Sequence, residues 1–271
     1  MMVSTDSLCL AVQDADAAAH TFRRLFDAVI VGDASDRAAG ARRLTLQWGE
    51  SLLELLQPDG PGSVEAFMSR RGIGAFAGGF AAADPEALVR ELRERGLAPI
   101  ARDDGRWLLP PERFDGIGVL IGPIEPRRRA GLVGRLYQIT WAVPELDRAL
   151  ARHAGALGLA DRTVHHHRRV RYNYEQALVR LDASGRSPDN IELVASIGGG
   201  NTVASFVARN GGPGTFSASV ESDAADEIER RIAAAGGWSP RSAPGGGGLV
   251  SPRVLHGLNL YVLPRAPDPS Q

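Results

Sequence analysis

Four stretches of the chain place apolar residues three and four positions apart among polar ones: Asp14–Phe26, Asp84–Gly96, Glu145–Gly158 and Asp223–Gly236. Pairs such as Leu88 with Leu92 and Ile228 with Ile232 put one apolar stripe on each stretch, the pattern of a helix packed by one side. Each opens with an acidic residue, and three stop at or near glycine. Those are the start and stop signals that the helix macrodipole favours. Pro85 sits at a first-turn position, where its missing N–H costs nothing.

A strand-like run precedes each helix: Leu8–Val12, Ala75–Ala81, Leu136–Val143 and Thr215–Val220. Further runs follow, closing with Ser51–Pro58, Gly118–Pro123, Asn190–Ala195 and Gly257–Pro264. The unit recurs about every 60 to 80 residues, the mark of an internal repeat, and each copy reads β-α-β-β-β. The expected fold class is α+β, with four βαβββ modules spanning about 5–58, 73–126, 135–195 and 213–265. They pair into halves 1–126 and 131–265, joined by a linker at Arg127–Gly131. The Pro-rich tail 266–271 reads as frayed, and Gly245–Gly248 as a connecting loop.

Composition changes this picture little but removes several functions. Net charge is −1, so nothing draws the chain to nucleic acid or anionic lipid. All 31 basic residues are arginine. Without a lysine there is no Schiff base, hence no covalently held pyridoxal phosphate. Cys9 stands alone, which fits a reducing compartment. No apolar run reaches the roughly 20 residues of a membrane span, and Met1–Ser7 does not read as a leader. The expectation is a cytoplasmic protein with a small-molecule partner, no nucleic acid and no membrane.

Three segments resemble a known superfamily. Leu136–Asp147 (LYQITWAVPELD) is similar to the opening strand and helix start of a vicinal oxygen chelate module, the unit of glyoxalases, bleomycin-resistance proteins and extradiol dioxygenases. Leu52–Pro58 resembles a module's closing strand, and Leu108–Ile121 the closing segment of methylmalonyl-CoA epimerase-like proteins. The resemblance covers nearly the whole chain. It implies that each module pair curls into an incomplete, glyoxalase-like β-barrel around a cavity, and that a homodimer is common among relatives.

The resemblance also implies where a metal would be held: by a His or Gln early in a module's first strand and a Glu in its last. Those positions here are Ser7, Ala77, Gln138 and Ser217, and Glu54, Gly122, Glu192 and Tyr261. Zinc or iron(II) catalysis needs three His or carboxylate ligands beside an open position. Neither half supplies that set, and exchanging modules between halves does not complete it. The expectation is no metal and no cofactor.

Strand alternation assigns the neighbours of those positions. In the first half the face carries Ser7, Cys9, Ala11, Ala75, Ala77, Gly79, Leu52, Glu54 and Leu56. Glu54 reads either as a desolvated acid or base with a raised pKa, or as a relic paired with Arg42 or Arg43. Cys9 reads as a nucleophile or as a small buried residue. In the second half the face carries Gln138, Thr140, Asn190, Glu192, Ser217, Ser219, Glu221, Asn259 and Tyr261, too polar for a packed core. This is the expected cavity, with Glu192 as general base and Tyr261 and Gln138 polarising a substrate oxygen. His256 is a candidate proton shuttle. Arg169 and Arg171 are candidates for holding a carboxylate, phosphate or coenzyme A. His165–His167 reads as a solvated edge strand or as metal ligands, and Trp48, Trp107 and Trp141 as core or pocket wall.

These readings lead to metal-independent proton transfer on a small organic metabolite, giving isomerisation, elimination or cyclisation. The alternatives are a non-catalytic, drug-sequestering protein of the bleomycin-resistance type, and a metal-dependent lyase or dioxygenase using His165, His167 or His256.

Overall fold

The computed structural model describes residues 1–184, 187–237 and 248–265; Gly245–Gly247 of the expected loop and the tail 266–271 lie outside them. The first half holds β1 (Met2–Ala11), α1 (Ala15–Phe26), β2 (Val29–Asp36), β3 (Ala41–Trp48), β4 (Ser51–Pro58), α2 (Ser63–Arg71), β5 (Gly74–Ala82), α3 (Pro85–Glu94), β6 (Ile100–Ala101), β7 (Trp107–Leu109) and β8 (Val119–Pro123). These strands make one eight-stranded sheet in the order β2-β3-β4-β1-β5-β8-β7-β6.

The second half holds β9 (Arg135–Val143), α4 (Leu146–Ala149), β10 (Val164–Arg169), β11 (Tyr174–Arg180), β12 (Asn190–Ser196), α5 (Thr202–Asn210), β13 (Gly214–Ser222), α6 (Ala225–Ala234), β14 (Gly248–Val250) and β15 (Asn259–Pro264). Its seven-stranded sheet runs β10-β11-β12-β9-β13-β15-β14. Each module's first strand pairs in parallel with its last, and the two modules of a half join through antiparallel β1–β5 and β9–β13. This is the expected α+β architecture. No helix among the described residues is long and apolar enough to cross a membrane.

Local chemistry sets the helix starts. The Asp14 and Asp84 carboxylates accept from Ala17 N and Ala87 N at 2.9 and 2.8 Å, satisfying N–H groups that the helix leaves unpaired. The buried stripes of α1, α3, α4 and α6 then cover one face of the sheets. Phe22 and Phe26 of α1 meet Trp48 edge-on at 6.0 and 6.1 Å. The same core crosses between the halves, where Phe80 of β5 meets Trp141 of β9 at 6.3 Å. A Cβ on Gly78 would fall 2.6 Å from Ile139 Cδ1, so this crossing depends on glycine. Truncating one such fully buried ring costs about 3–5 kcal/mol.

Two helices were not anticipated from the sequence pattern. Both α2 and α5 join the modules within a half and lie on the opposite face of each sheet, away from the shared core. Full burial reaches only Ser63 and Val64 in α2, and only Val203 in α5. Neither has a long apolar stripe, so periodicity leaves them inconspicuous. Ala75 is also corrected. A register shift between Cys9 and Leu10 turns Ala75 into the shared core rather than the outer face.

Candidate functional site

The outer faces of the two sheets can be compared residue by residue through strand register. On β1, Cys9 lies between Glu54 and Ala77; on β9, Thr140 lies between Glu192 and Ser217. One step along, Gly79 pairs with Leu120, and Ser219 with Tyr261. The counterpart of Tyr261 is therefore Leu120, not Gly122. Gly122 instead leaves room for Arg106, whose Cδ would lie 2.9 Å from an added Cβ.

In the first half the glutamate is neutralised. Arg102 Nη2 donates to Glu54 Oε2 at 2.8 Å, and Arg106 pairs with Oε1. Asp36 and Asp104 close the group around Arg102, Arg106 and Arg43. Burial by itself would raise the Glu54 pKa, but Arg102, Arg106 and Arg43 together hold it below the usual range. A raised-pKa base at Glu54 is thus overturned. Arg43 does stand near it, whereas Arg42 turns to Asp16 and Asp33 at the surface. The Cys9 thiol lies 3.5 Å from Glu54 Oε2. Burial, and then the Glu54 charge, push its pKa well up, so it is no ready nucleophile. Ser7 is fully buried against Gly79.

In the second half the equivalent carboxylate meets neutral donors. Thr140 Oγ1 donates to Glu192 Oε2 at 2.6 Å and Gln138 Nε2 at 2.8 Å. Both bonds end on Oε2, so neither donor occupies Oε1. Burial raises the Glu192 pKa, and neither the Thr140 hydrogen bond nor the more distant Arg169 charge cancels that. Ser217 and Ser219 are buried beside it, and Asn259 Nδ2 donates to Phe216 O at 2.9 Å.

Tyr261 faces the same ground, its pKa pushed up to about 12 by burial and by the nearby Tyr174 and Glu192. Two further tyrosines join it. Tyr137 is skipped by the β9–β13 register between Leu136 and Gln138 and shares a hydrogen bond with Ser219; burial lifts its pKa to about 12. Tyr174 of β11 is raised by burial and by Glu192, and stacks on Tyr172 at 6.3 Å. All four tyrosines of the chain thus gather in this region. Alternation assigns Tyr137 to the core face, so only a β-bulge brings it here.

The other candidates divide. Arg169 ends the edge strand β10, close enough for its charge to act on Glu192 and Tyr174. Arg171 lies 5.7 Å from the Tyr172 ring. His165, His166 and His167 are exposed on the same edge strand. His256 does not join the group: its Nε2 lies 3.0 Å from Thr21 Oγ1 of α1, because the chain reaches β15 through a turn packed on the first half. This removes it as a shuttle for Glu192. Trp48 and Trp141 are core, while Trp107 lies under Arg93 at 4.8 Å and donates to Glu86.

The positions at which the resembling superfamily holds a metal do not fit one here. In the second half they present one carboxylate, an amide whose N–H already serves that carboxylate, a serine and a tyrosine that keeps its proton to about 12; in the first, a carboxylate held by two arginines stands with Ser7, Ala77 and Gly122. Among the described residues no three His, Cys, Asp or Glu side chains converge as ligands. Three His or carboxylate donors are what such catalysis requires.

No family model matches the chain, and no curated protein matches it in sequence. Solved structures do resemble it. A triple mutant of 4-hydroxymandelate synthase from Streptomyces coelicolor is similar over 98% of this chain and 93% of its own, at 16% identity and a TM-score of 0.69. Methylmalonyl-CoA epimerase from Mycobacterium tuberculosis is similar over 50% of this chain and 91% of its own, at 22% identity and a TM-score of 0.41. The first of these, at full length, shows a shared fold, the vicinal oxygen chelate fold anticipated from the sequence.

Proposed function

We propose that this chain, built on the vicinal oxygen chelate fold, is an enzyme that moves a proton on a small organic metabolite without a metal, with Glu192 as its general base. Isomerisation, elimination and cyclisation share that step. The observation that carries the reading is the state of Glu192: desolvated, raised in pKa, and met at hydrogen-bond distance, among the described residues, by Thr140 and Gln138, neither of them charged. A base works best when its pKa approaches the operating pH, and Glu192 is displaced in that direction.

The neighbours have definable roles. Thr140 and Gln138 fix Oε2, which leaves Oε1 to take the proton. Tyr261 and Tyr137 keep their protons to about 12, so both can donate to a substrate oxygen as negative charge develops there. Ser217, Ser219 and Asn259 supply further polar lining. Arg169 and Arg171 receive an anionic group of the substrate at the edge of the site.

The test is deuterium uptake from D2O at the acidic C–H of small 2-oxo and 3-oxo acids. Glu192→Gln should slow it by about 10²–10⁴-fold, with affinity for the same acid kept within about threefold. Exchange that persists in the variant would overturn the assignment. The gathering of four tyrosines also favours a second reading, non-catalytic sequestration of an aromatic molecule. That reading prevails if the variant still binds fully and protects cells from a toxic aromatic compound as well as wild type does.

A further inference from the structure

Helix α5 lies against the end of the Glu192 face. Its Val203 is buried with Ala142 and Val194, each two residues beyond Thr140 and Glu192 on the same side of its strand, and Phe206 meets Phe216 edge-on at 5.1 Å. The first half repeats this arrangement: α2 sits on Ala11 and Leu56, and Phe67 meets Phe76 at 5.4 Å. Each helix fully buries one apolar residue, Val64 in α2 and Val203 in α5. The surfaces beneath them differ: α2 lies on an apolar face that includes Cys9, Ala11, Leu56, Phe76 and Ala77, whereas α5 lies on Ala142 and Val194. Arg71 of α2 donates to the carbonyls of Gly116 and of Pro213, just beyond α5, each at 2.9 Å.

The leading end of α5 differs as well. Gly198, Gly199 and Gly200 precede it with φ of 77, 81 and 75°, while Gly211 and Gly212 after it, with φ of 66 and 143°, match Gly72 and Gly74 after α2, with φ of 78 and 152°. Such backbone is accessible to glycine at little cost. Hydrogen bonds around Asn173 fasten the leading end, where Ile197 N donates to Asn173 O at 2.9 Å. Asn173 Nδ2 donates to Gly199 O at 2.9 Å, and Asn201 Nδ2 returns to Asn173 O at 2.5 Å while its Oδ1 caps Ala204 N at 2.8 Å. Asn173 follows Arg171 and Tyr172, so the fastening sits at the basic edge of the site.

We propose that α5 is a hinged wall of the Glu192 site, with Phe206 as its size-selecting residue and the Asn173–Asn201 contact as its latch. The proposal rests on the reading that this face receives the ligand. The small apolar surface beneath it and the run of three positive-φ glycines ahead of it place α5 at the low-stability end of the molecule. Ligand enters as the wall lifts, and Phe206 limits what fits when it closes.

Hydrogen exchange on the whole protein tests the hinge. Amides of 202–210 should exchange at least about tenfold faster than those of 63–71. Asn173→Gly suits the φ of 54° at that position and deletes the bond to Gly199. It should speed α5 exchange by about three- to tenfold without altering β9 or β12. Binding of benzoate and 2-naphthoate, one ring against two, tests the wall. Phe206→Ala should shift their affinity ratio about tenfold toward 2-naphthoate. The proposal is overturned if α5 opens only together with β9 and β12, if α2 exchanges as fast, if Phe206→Ala moves both acids equally, or if neither acid binds. None of these readouts needs turnover, so a failure of the proton-transfer reading, seen with Glu192→Gln, remains distinguishable.

Discussion

Glu54 and Glu192 occupy the same register position in two copies of one fold and have opposite electrostatics. Glu54 is fully buried and pairs with two guanidiniums; Glu192 is desolvated beside a threonine and an amide. Burial pushes both pKa values up, and only in the first half do cations reverse the sign. Position in a fold therefore does not define a residue's chemistry; the charges supplied by neighbouring strands do. The first face is a buried ion cluster, and the second is polar without a cation paired to its glutamate at hydrogen-bond distance.

The largest expected effect that would break this comparison is on stability. Glu54→Ala leaves Arg102 and Arg106 buried without their shared partner and should cost about 3–5 kcal/mol, read by chemical denaturation. Replacing Glu54, Asp36, Arg102 and Arg106 together by apolar residues of similar volume should recover much of that loss, since no buried charge of the group is then left unpaired. Glu192→Gln removes only a poorly solvated charge and should change stability by less than about 1 kcal/mol. Equal losses in the two single variants would show that the glutamates are not electrostatically different.

The pH dependence sharpens the same contrast. The folded-state pKa of Glu54 lies below its ordinary 4.5. Its stabilising contribution is complete above that value and disappears as pH falls through the depressed one. Glu192 is shifted upward from 4.5, so its protonated form stabilises the fold below 4.5, and that contribution disappears as pH rises through the elevated value. Denaturation followed against pH should thus flatten on the acid side in a Glu54 variant and above 4.5 in Glu192→Gln. Turnover should rise with pH through the elevated Glu192 pKa, since the base acts as carboxylate.

Smaller effects should follow at the tyrosines. Tyr261→Phe should lower turnover by about tenfold to a hundredfold. Tyr137→Phe should lower it less, since Tyr137 already shares a hydrogen bond with Ser219. A larger loss at Tyr137 would identify it as the principal donor.

Much of the fold was legible in the chain. Acid-capped helices and closing strands recur four times, and local signals of that kind survive folding because the cap and the stripe lie within one element. Glu192, Gln138, Thr140 and Tyr261 were legible for the same reason: two-residue alternation carries them to one face. Tyr137 and Phe216 were not, because register shifts in the β9–β13 pairing skip each of them, and a bulge depends on its partner strand. Nor was the fate of Glu54, whose cations come from the β6–β7 turn 48 and 52 residues away. His256 was misplaced because its turn packs on the other half of the chain.

The sequence alone determined the repeated module, its alternating faces and the shortage of metal-type ligands, since each is a property of neighbouring residues or of composition. Only the tertiary structure decided which glutamate is neutralised, which tyrosines gather near the other, and which helix lies at the end of its face. Those depend on charges and rings brought together from distant segments, and electrostatic environment follows distance in space rather than separation along the chain.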